Sequence, residues 1–421
     1  MCGITGIFST NNDHLREDVG VMMDHIRSRG PDGDGVYVNQ QNTLALGHTR
    51  LSIIDLSTAG AQPMVSKSEM YIITYNGELY NCDAILKILN LHSVALKGHS
   101  DTELLLELIS LKGLNFSIQF IKGMYSFAVF DVKNKLLHIV RDRLGEKPVY
   151  YGQIDNGFVF SSDIRGIMHI NSGRNRIDNK ALFQYLKYNY VPAPLSIING
   201  VFKLEPGELL TFQCGGNDVG NYSVEKYWNI SCSQKITKYK NLDHAADKFE
   251  DLFSNTIHDY MHSDVKVGSL LSGGIDSTII AYFAAKQYDI NTYTLGFEDK
   301  EFDERGSAKR TANILGSNHT EYLASNSDIV NSISFMPQVY GEPFADSSQL
   351  PSYVISKYVS NDLKVCLAGD GGDELFLGYP RYKLLRDLSN IKGRGLIAPL
   401  VSSIPSNVFK KIIDITPVLR K

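Results

Sequence analysis

Residues 265–287 read VKVGSLLSGGIDSTIIAYFAAKQ, and this stretch decides how the second half of the chain is read. VKVGSLL is a short apolar run of buried-strand type, and 278–287 carries a helical pattern. Between them lies the turn Ser272-Gly273-Gly274-Ile275-Asp276-Ser277. Two glycines let a backbone come close to phosphate, and a helix N-terminus presents free N–H groups to it. Ser272 and Ser277 add hydroxyl donors, and Asp276 is placed to reach a Mg²⁺ ion. No lysine follows, so this is not the GxxxxGK[ST] loop. Such a turn suits gripping a departing pyrophosphate.

Outward from it, strands and helices alternate. Upstream, 243–262 has apolar residues at helical spacing. Downstream come the strand TYTLGF (292–297), a helix over 304–315, the strand HTEYL (319–323), helices near 327–336 and 347–360, and the strand KVCLA (364–368). That rhythm predicts a parallel α/β sheet. The end of TYTLGF, at Leu295 and Gly296, would meet an adenine at the carboxyl edge of the sheet. After KVCLA stands Gly369-Asp370-Gly371-Gly372-Asp373-Glu374, whose carboxylates among glycines suit Mg²⁺.

The first ~212 residues have another texture. MYIITYNGELY (70–80), GMYSFAVFDV (123–132), KLLHIVRD (135–142), KPVYYGQI (147–154) and GFVFSSDI (157–164) are β-branched and aromatic runs. GVFKLEPGELLTF (200–212) reads as a closing hairpin with Pro-Gly at its turn. Helical patterns cover 13–28 and 101–111. Ser100 is the expected N-cap of the second, with Glu103 completing a capping box. The Gly- and Asn-rich 213–242 reads as a linker. Three regions follow: 2–212, 213–242 and 243–421.

Composition narrows the class. The 421 residues are 43% hydrophobic and 21% charged, with net charge −4, which suggests no nucleic-acid partner. No run reaches the ~18 apolar residues of a membrane helix. MCGITGIFST lacks the features of a signal peptide. Five scattered cysteines fit a reducing cytosol, so a soluble, cytoplasmic protein without membrane partner is expected. From Pro380 onward, nine Lys or Arg face two acids, a local charge of +7.

Cys2 follows Met1 directly. If Met1 is removed, the cysteine carries a free α-amine, whose ordinary pKa of ~7.7–8.0 suits a base for its own thiol. A thiolate attacking a carboxamide needs donors for the oxyanion. Asn76-Gly77, expected at the end of the strand MYIITY (70–75), offers a side-chain amide and an unhindered N–H. Arg50 can hold an amino acid's carboxylate bidentately, and Glu78 and Asp101 its ammonium.

MCGITGIF, RGPDG (29–33), HTRLSIIDL (48–56), YNGELYN (75–81) and SDTELLL (100–106) stand in the order of class II glutamine amidotransferases, which this half resembles over residues 2 to ~212. The resemblance implies an α+β N-terminal-nucleophile hydrolase sandwich (αββα). It implies that Cys2 attacks the side-chain amide of glutamine, with Asn76 and Gly77 as the oxyanion hole. It places Arg50, Leu51, Ile53, Asn76, Gly77, Glu78 and Asp101 around that substrate.

The second half resembles the ATP-pyrophosphatase domain of asparagine synthetases, on SGGIDS, GDGGDE, EFDERGSAKR (301–310) and GEPFADSSQLPSYVIS (341–356). This implies ATP held by Leu271, Ser272, Gly273, Gly274, Asp276, Ser277, Leu295, Ala368 and Gly369. It implies Mg²⁺ on Asp276 and Asp373, with Asp370 serving the chemistry of an acyl-adenylate. The family usually has Ser where Ala368 stands, so one hydroxyl is lost. Members usually continue beyond the length seen here, so an incomplete synthetase half is expected. The implied whole is a ligase making asparagine from aspartate, glutamine and ATP, with a homodimer as a candidate assembly. Two alternatives stay open: amidation of another carboxylate, such as a sugar uronic acid in polysaccharide synthesis, or retention of glutaminase activity alone.

Overall fold

The computed structural model describes residues 1–10, 13–154, 157–170, 175–214, 221–230 and 237–389. The basic stretch beyond 389, and parts of 213–242, lie outside the described residues.

Among the described residues, twelve strands build the first half: β1 (Gly3–Ser9), β2 (Gly33–Val38), β3 (Leu44–Arg50), β4 (Met64–Val65), β5 (Tyr71–Leu79), β6 (Gly123–Asp131), β7 (Leu136–Arg141), β8 (Tyr150–Ile154), β9 (Gly157–Ser161), β10 (Val201–Lys203), β11 (Glu208–Gln213) and β12 (Tyr222–Lys226). They form two antiparallel sheets, ordered β10-β8-β9-β1-β3-β2 and β12-β11-β7-β6-β5-β4. The strand period of two explains the layering. Ile4 and Phe8 of β1 point to the core between the sheets, where they meet Phe130, Leu137 and Phe212. Ile7 points the other way, to the helix Leu15–Ile26. The outer face of the second sheet is covered by the helices Cys82–Leu91 and Asp101–Lys112. Helix, sheet, sheet, helix is the expected αββα sandwich.

Four more strands, β13 (Val267–Leu270), β14 (Asn291–Phe297), β15 (Asn318–Ala324) and β16 (Val365–Leu367), make a parallel sheet in the order β15-β14-β13-β16. Val365 and Leu367 face the core under the helix Leu242–Tyr260; Cys366 faces the core under the helix Gln349–Val359. The predicted α/β half is therefore observed.

Local expectations are corrected in four places. Residues 200–212 are not a hairpin: β10 joins β8 in one sheet and β11 joins β7 in the other. On its other side β11 pairs with β12, a strand inside the stretch read as linker. Asn76-Gly77 does not end its strand but pairs with Ser126 and Tyr125 within β5 and β6. Ser100 caps its helix by accepting the Glu103 N–H, but the Glu103 carboxylate accepts from Lys97 and Gly98 instead of closing a capping box.

The halves pack together through polar and aromatic contacts. Glu342 accepts from Tyr150 Oη (3.0 Å) and Ile197 N–H (2.7 Å) and pairs with Lys203 (2.5 Å). Lys364 pairs with Asp32 at 2.7 Å, and Tyr80 stacks on Tyr260 with centroids 4.0 Å apart.

Candidate active site

β1 starts one residue after Cys2 and runs between β9 and β3, so the cysteine sits where the central strand emerges. A cavity of about 60 Å³ opens there. Its lining brings together Cys2, Arg50, Leu51, Ile53, Asn76, Gly77, Glu78 and Asp101, which the sequence spreads over a hundred positions. The Cys2 sulfur lies 3.4 Å from the Leu51 N–H and 3.6 Å from the Leu51 carbonyl. Both polar atoms of the Asn76 amide are buried and have no hydrogen-bond partner among the described residues. A buried amide left unpaired costs free energy unless something else meets it. Gly77 is fixed by close approach: a Cβ there would stand 2.3 Å from Met124 O and 2.7 Å from Tyr125 Cα.

Arg50 donates Nη1 to Ser57 O (2.8 Å) and Nη2 to Asp55 O, so two backbone carbonyls aim its guanidinium. No ion pair is formed by it among the described residues, which leaves its charge for an anion. Asp101 Oδ2 accepts from Tyr75 Oη and Leu79 N–H, both at 3.1 Å. Burial pushes the Asp101 carboxyl up to about 6, against those hydrogen bonds. Burial, then the charge of Asp101, also raises Glu78. Two carboxylates resisting ionisation are matched to a cation placed beside them. Burial pushes the Cys2 thiol up, while the Leu51 N–H pulls it down. The α-amine at Met1 is brought down to about 6, again chiefly by burial.

Three further residues shape the pocket, and the reading of the sequence did not single them out. Lys147 is buried in the lining, its pKa lowered by that burial. Tyr75 orients Asp101. Arg29 donates Nε to Cys2 O at 3.1 Å and so fixes the backbone at Cys2. The RGPDG motif was the available signal for Arg29; nothing local links Lys147 to Cys2.

A second cavity, of about 780 Å³, opens at the carboxyl edge of the parallel sheet. Leu271, Ser272, Gly274, Asp276, Ser277, Leu295, Ala368, Gly369, Asp370 and Asp373 line it, together with Thr294, Glu304 and Ser352, which lie in the quoted motifs but are not singled out by the sequence. The helix Ile275–Ala285 begins in the turn, three residues earlier than expected. Ser272 and Ser277 hydroxyls lie 2.9 Å apart, and the Gly273 N–H is held by Glu304 at 3.1 Å. Glu374 turns away to accept from Tyr379 Oη at 2.7 Å. Among the described residues no group of three or more His, Cys, Asp or Glu gathers as a metal site.

Residues 1–228 match the family model of a glutamine amidotransferase domain, and 248–412 match that of asparagine synthase. The chain is 34% identical over 400 residues to a candidate glutamine-hydrolysing asparagine synthetase 2 of Methanocaldococcus jannaschii, covering 90% of this chain and 76% of that one. It is 30% identical over 427 residues to the glutamine-hydrolysing asparagine synthetase 1 of Bacillus subtilis, covering 100% of this chain and 64% of that one. Against asparagine synthetase 3 of the same organism, it is 30% identical and spans 63% of the relative's length. With both halves matched in order and the first relative covered over three quarters of its length, the chain belongs to the glutamine-hydrolysing asparagine synthetase family.

Proposed function

We propose that the first half hydrolyses glutamine at Cys2 and that the second activates a carboxylate with ATP, aspartate being the acceptor the family points to. The observation that carries the reading is the buried, unpartnered Asn76 amide in one pocket with Cys2, Arg50 and Asp101. Arg50 takes the substrate's α-carboxylate, and Asp101 with Glu78 takes its ammonium. Once Met1 is removed, the Cys2 α-amine stands in surroundings that keep an amine neutral, so it accepts the thiol proton. The thiolate adds to the amide carbon, and the oxyanion is met by Asn76 Nδ2 and the Gly77 N–H. Collapse of that adduct passes the proton to the leaving nitrogen and releases ammonia. Water then cleaves the thioester, giving glutamate and free thiol.

In the second cavity, the turn 272–277 receives the pyrophosphate end of ATP, and Leu295 lies where the adenine would rest. The acceptor carboxylate attacks the α-phosphorus, pyrophosphate leaves, and ammonia displaces AMP from the acyl-adenylate. Asp276 and Asp373, which line the cleft and form no ion pair among the described residues, would hold a Mg²⁺, whose charge would neutralise that of the phosphates.

Cys2→Ala is expected to abolish glutamate release while sparing any ammonia-dependent synthesis, because only the first site needs a thiolate. Glutamine turnover near the parent rate would overturn the assignment. Pyrophosphate exchange into ATP, screened over aspartate and sugar uronic acids, tests the acceptor: exchange with a uronic acid but not aspartate would replace asparagine formation by the alternative amidation.

A further inference from the structure

Asp264 belongs to the second half, in the loop between the helix Leu242–Tyr260 and β13, yet among the described residues its hydrogen bonds reach Ile53, Asp55 and His99 of the first. Its N–H donates to Ile53 O at 3.1 Å. Its Oδ2 accepts the Asp55 N–H at 2.7 Å and lies 2.7 Å from His99 Nε2. Asp55 in turn accepts the His99 N–H on its own Oδ2 at 3.0 Å.

The two segments joined in this way are those that carry the grips on glutamine. Asp55 and Ser57 offer the carbonyls that aim Arg50. Asp55 holds this shape at φ +54°, a backbone region unfavourable for a residue with a side chain, so it needs outside support. His99 stands two positions before Asp101. Arg50 and Asp101 address opposite ends of one amino acid, so the separation of the two segments decides how well both ends are met. Asp264 fixes that separation from a firm base: it leads into β13, an inner strand paired on both sides by β14 and β16.

We infer that Asp264 is a positioning residue for glutamine binding, supplied to the glutaminase pocket by the synthetase half. The inference rests on the function proposed above. The His99 contact is solvent-exposed, at 64% for His99 and 38% for Asp264, and contributes little by itself. The Asp55 N–H bonded to a charged acceptor is the stronger link.

The test is steady-state glutaminase kinetics on the full chain. Asp264→Ala is expected to raise KM for glutamine about tenfold with kcat changed less than about twofold, the pattern of lost binding without lost chemistry. Asp264→Asn, whose amide oxygen can still accept the Asp55 N–H, is expected to recover most of the loss. His99→Ala should raise KM about threefold and add nothing further in the double variant with Asp264→Ala, because both act on the same two segments. An Asp264→Ala protein with parental KM overturns the inference, as does an Asp264→Asn protein no better than Asp264→Ala, and so does a fall in kcat with KM unmoved. If Asp264→Ala does not fold, His99→Ala decides: parental KM in that variant overturns it. Absence of glutaminase activity in the parent would instead remove the proposed function itself.

Discussion

Asp101 and Glu78 show what a binding site costs at the level of single residues. Desolvation holds the Asp101 carboxyl near 6 and pushes Glu78 up as well, with Lys147 opposing the shift at Glu78. A substrate ammonium beside them favours their ionised forms, so binding expels protons. The sign follows: glutamine affinity is full above the raised pKa and falls as pH drops through about 6. We expect KM to rise by up to about tenfold per pH unit for each proton displaced. A KM profile flat from about pH 7 to 5 would exclude Asp101 as the ammonium partner. Glu78, Tyr75, Cys2 and Lys147 line the same pocket, so kcat and KM must be followed separately.

Among elements, the β5–β6 pair carries the closest constraint. Gly77 faces backbone of the neighbouring strand on contact distance, and neither Met124 O nor Tyr125 Cα can swing aside as a side-chain tip could. Gly77→Ala is therefore expected to cost about 1–3 kcal/mol by overpacking. It should also displace Asn76, its immediate neighbour, and so reduce kcat for glutamine. Urea unfolding and glutaminase kinetics on the same preparation check both parts; an alanine variant with parental stability would mean that the strands separate freely there. The Asp101–Lys112 helix shows the same dependence on neighbours. Its N-cap is set by Ser100, but Glu103 serves the preceding loop at Lys97 and Gly98 rather than its own helix.

At the scale of the whole molecule, Glu342 stands where the halves meet. It is the only carboxylate pairing with Lys203 among the described residues, and both side chains are largely buried. Deleting one member of a buried pair leaves the other charged and desolvated, at about 3–5 kcal/mol. Glu342→Ala should therefore destabilise the junction, with urea bringing one half to its transition before the other. A single unshifted transition would show that the remaining contacts, such as Tyr80 on Tyr260 and Lys364 with Asp32, hold the halves without it. Among the described residues no helix is long and apolar enough to cross a membrane.

What the sequence by itself determined was local in kind. Strand–turn–helix at SGGIDS, the alternation that follows it, the Ser100 cap and the cysteine at position 2 each depend on a few neighbouring residues, whose periodicity and turn chemistry are readable directly. Pairing across the chain was not readable. Periodicity shows that β10 and β11 each have an apolar face, but not that Phe202 joins one sheet and Phe212 the other, because either sheet could bury them. Only the closed sandwich sends the chain from one sheet to the other between them, and only it sets Lys147 beside Met1 and Asp264 against Asp55. The physical reason is that long-range partners are chosen by which arrangement buries the apolar faces and satisfies the buried polar groups of the whole chain together.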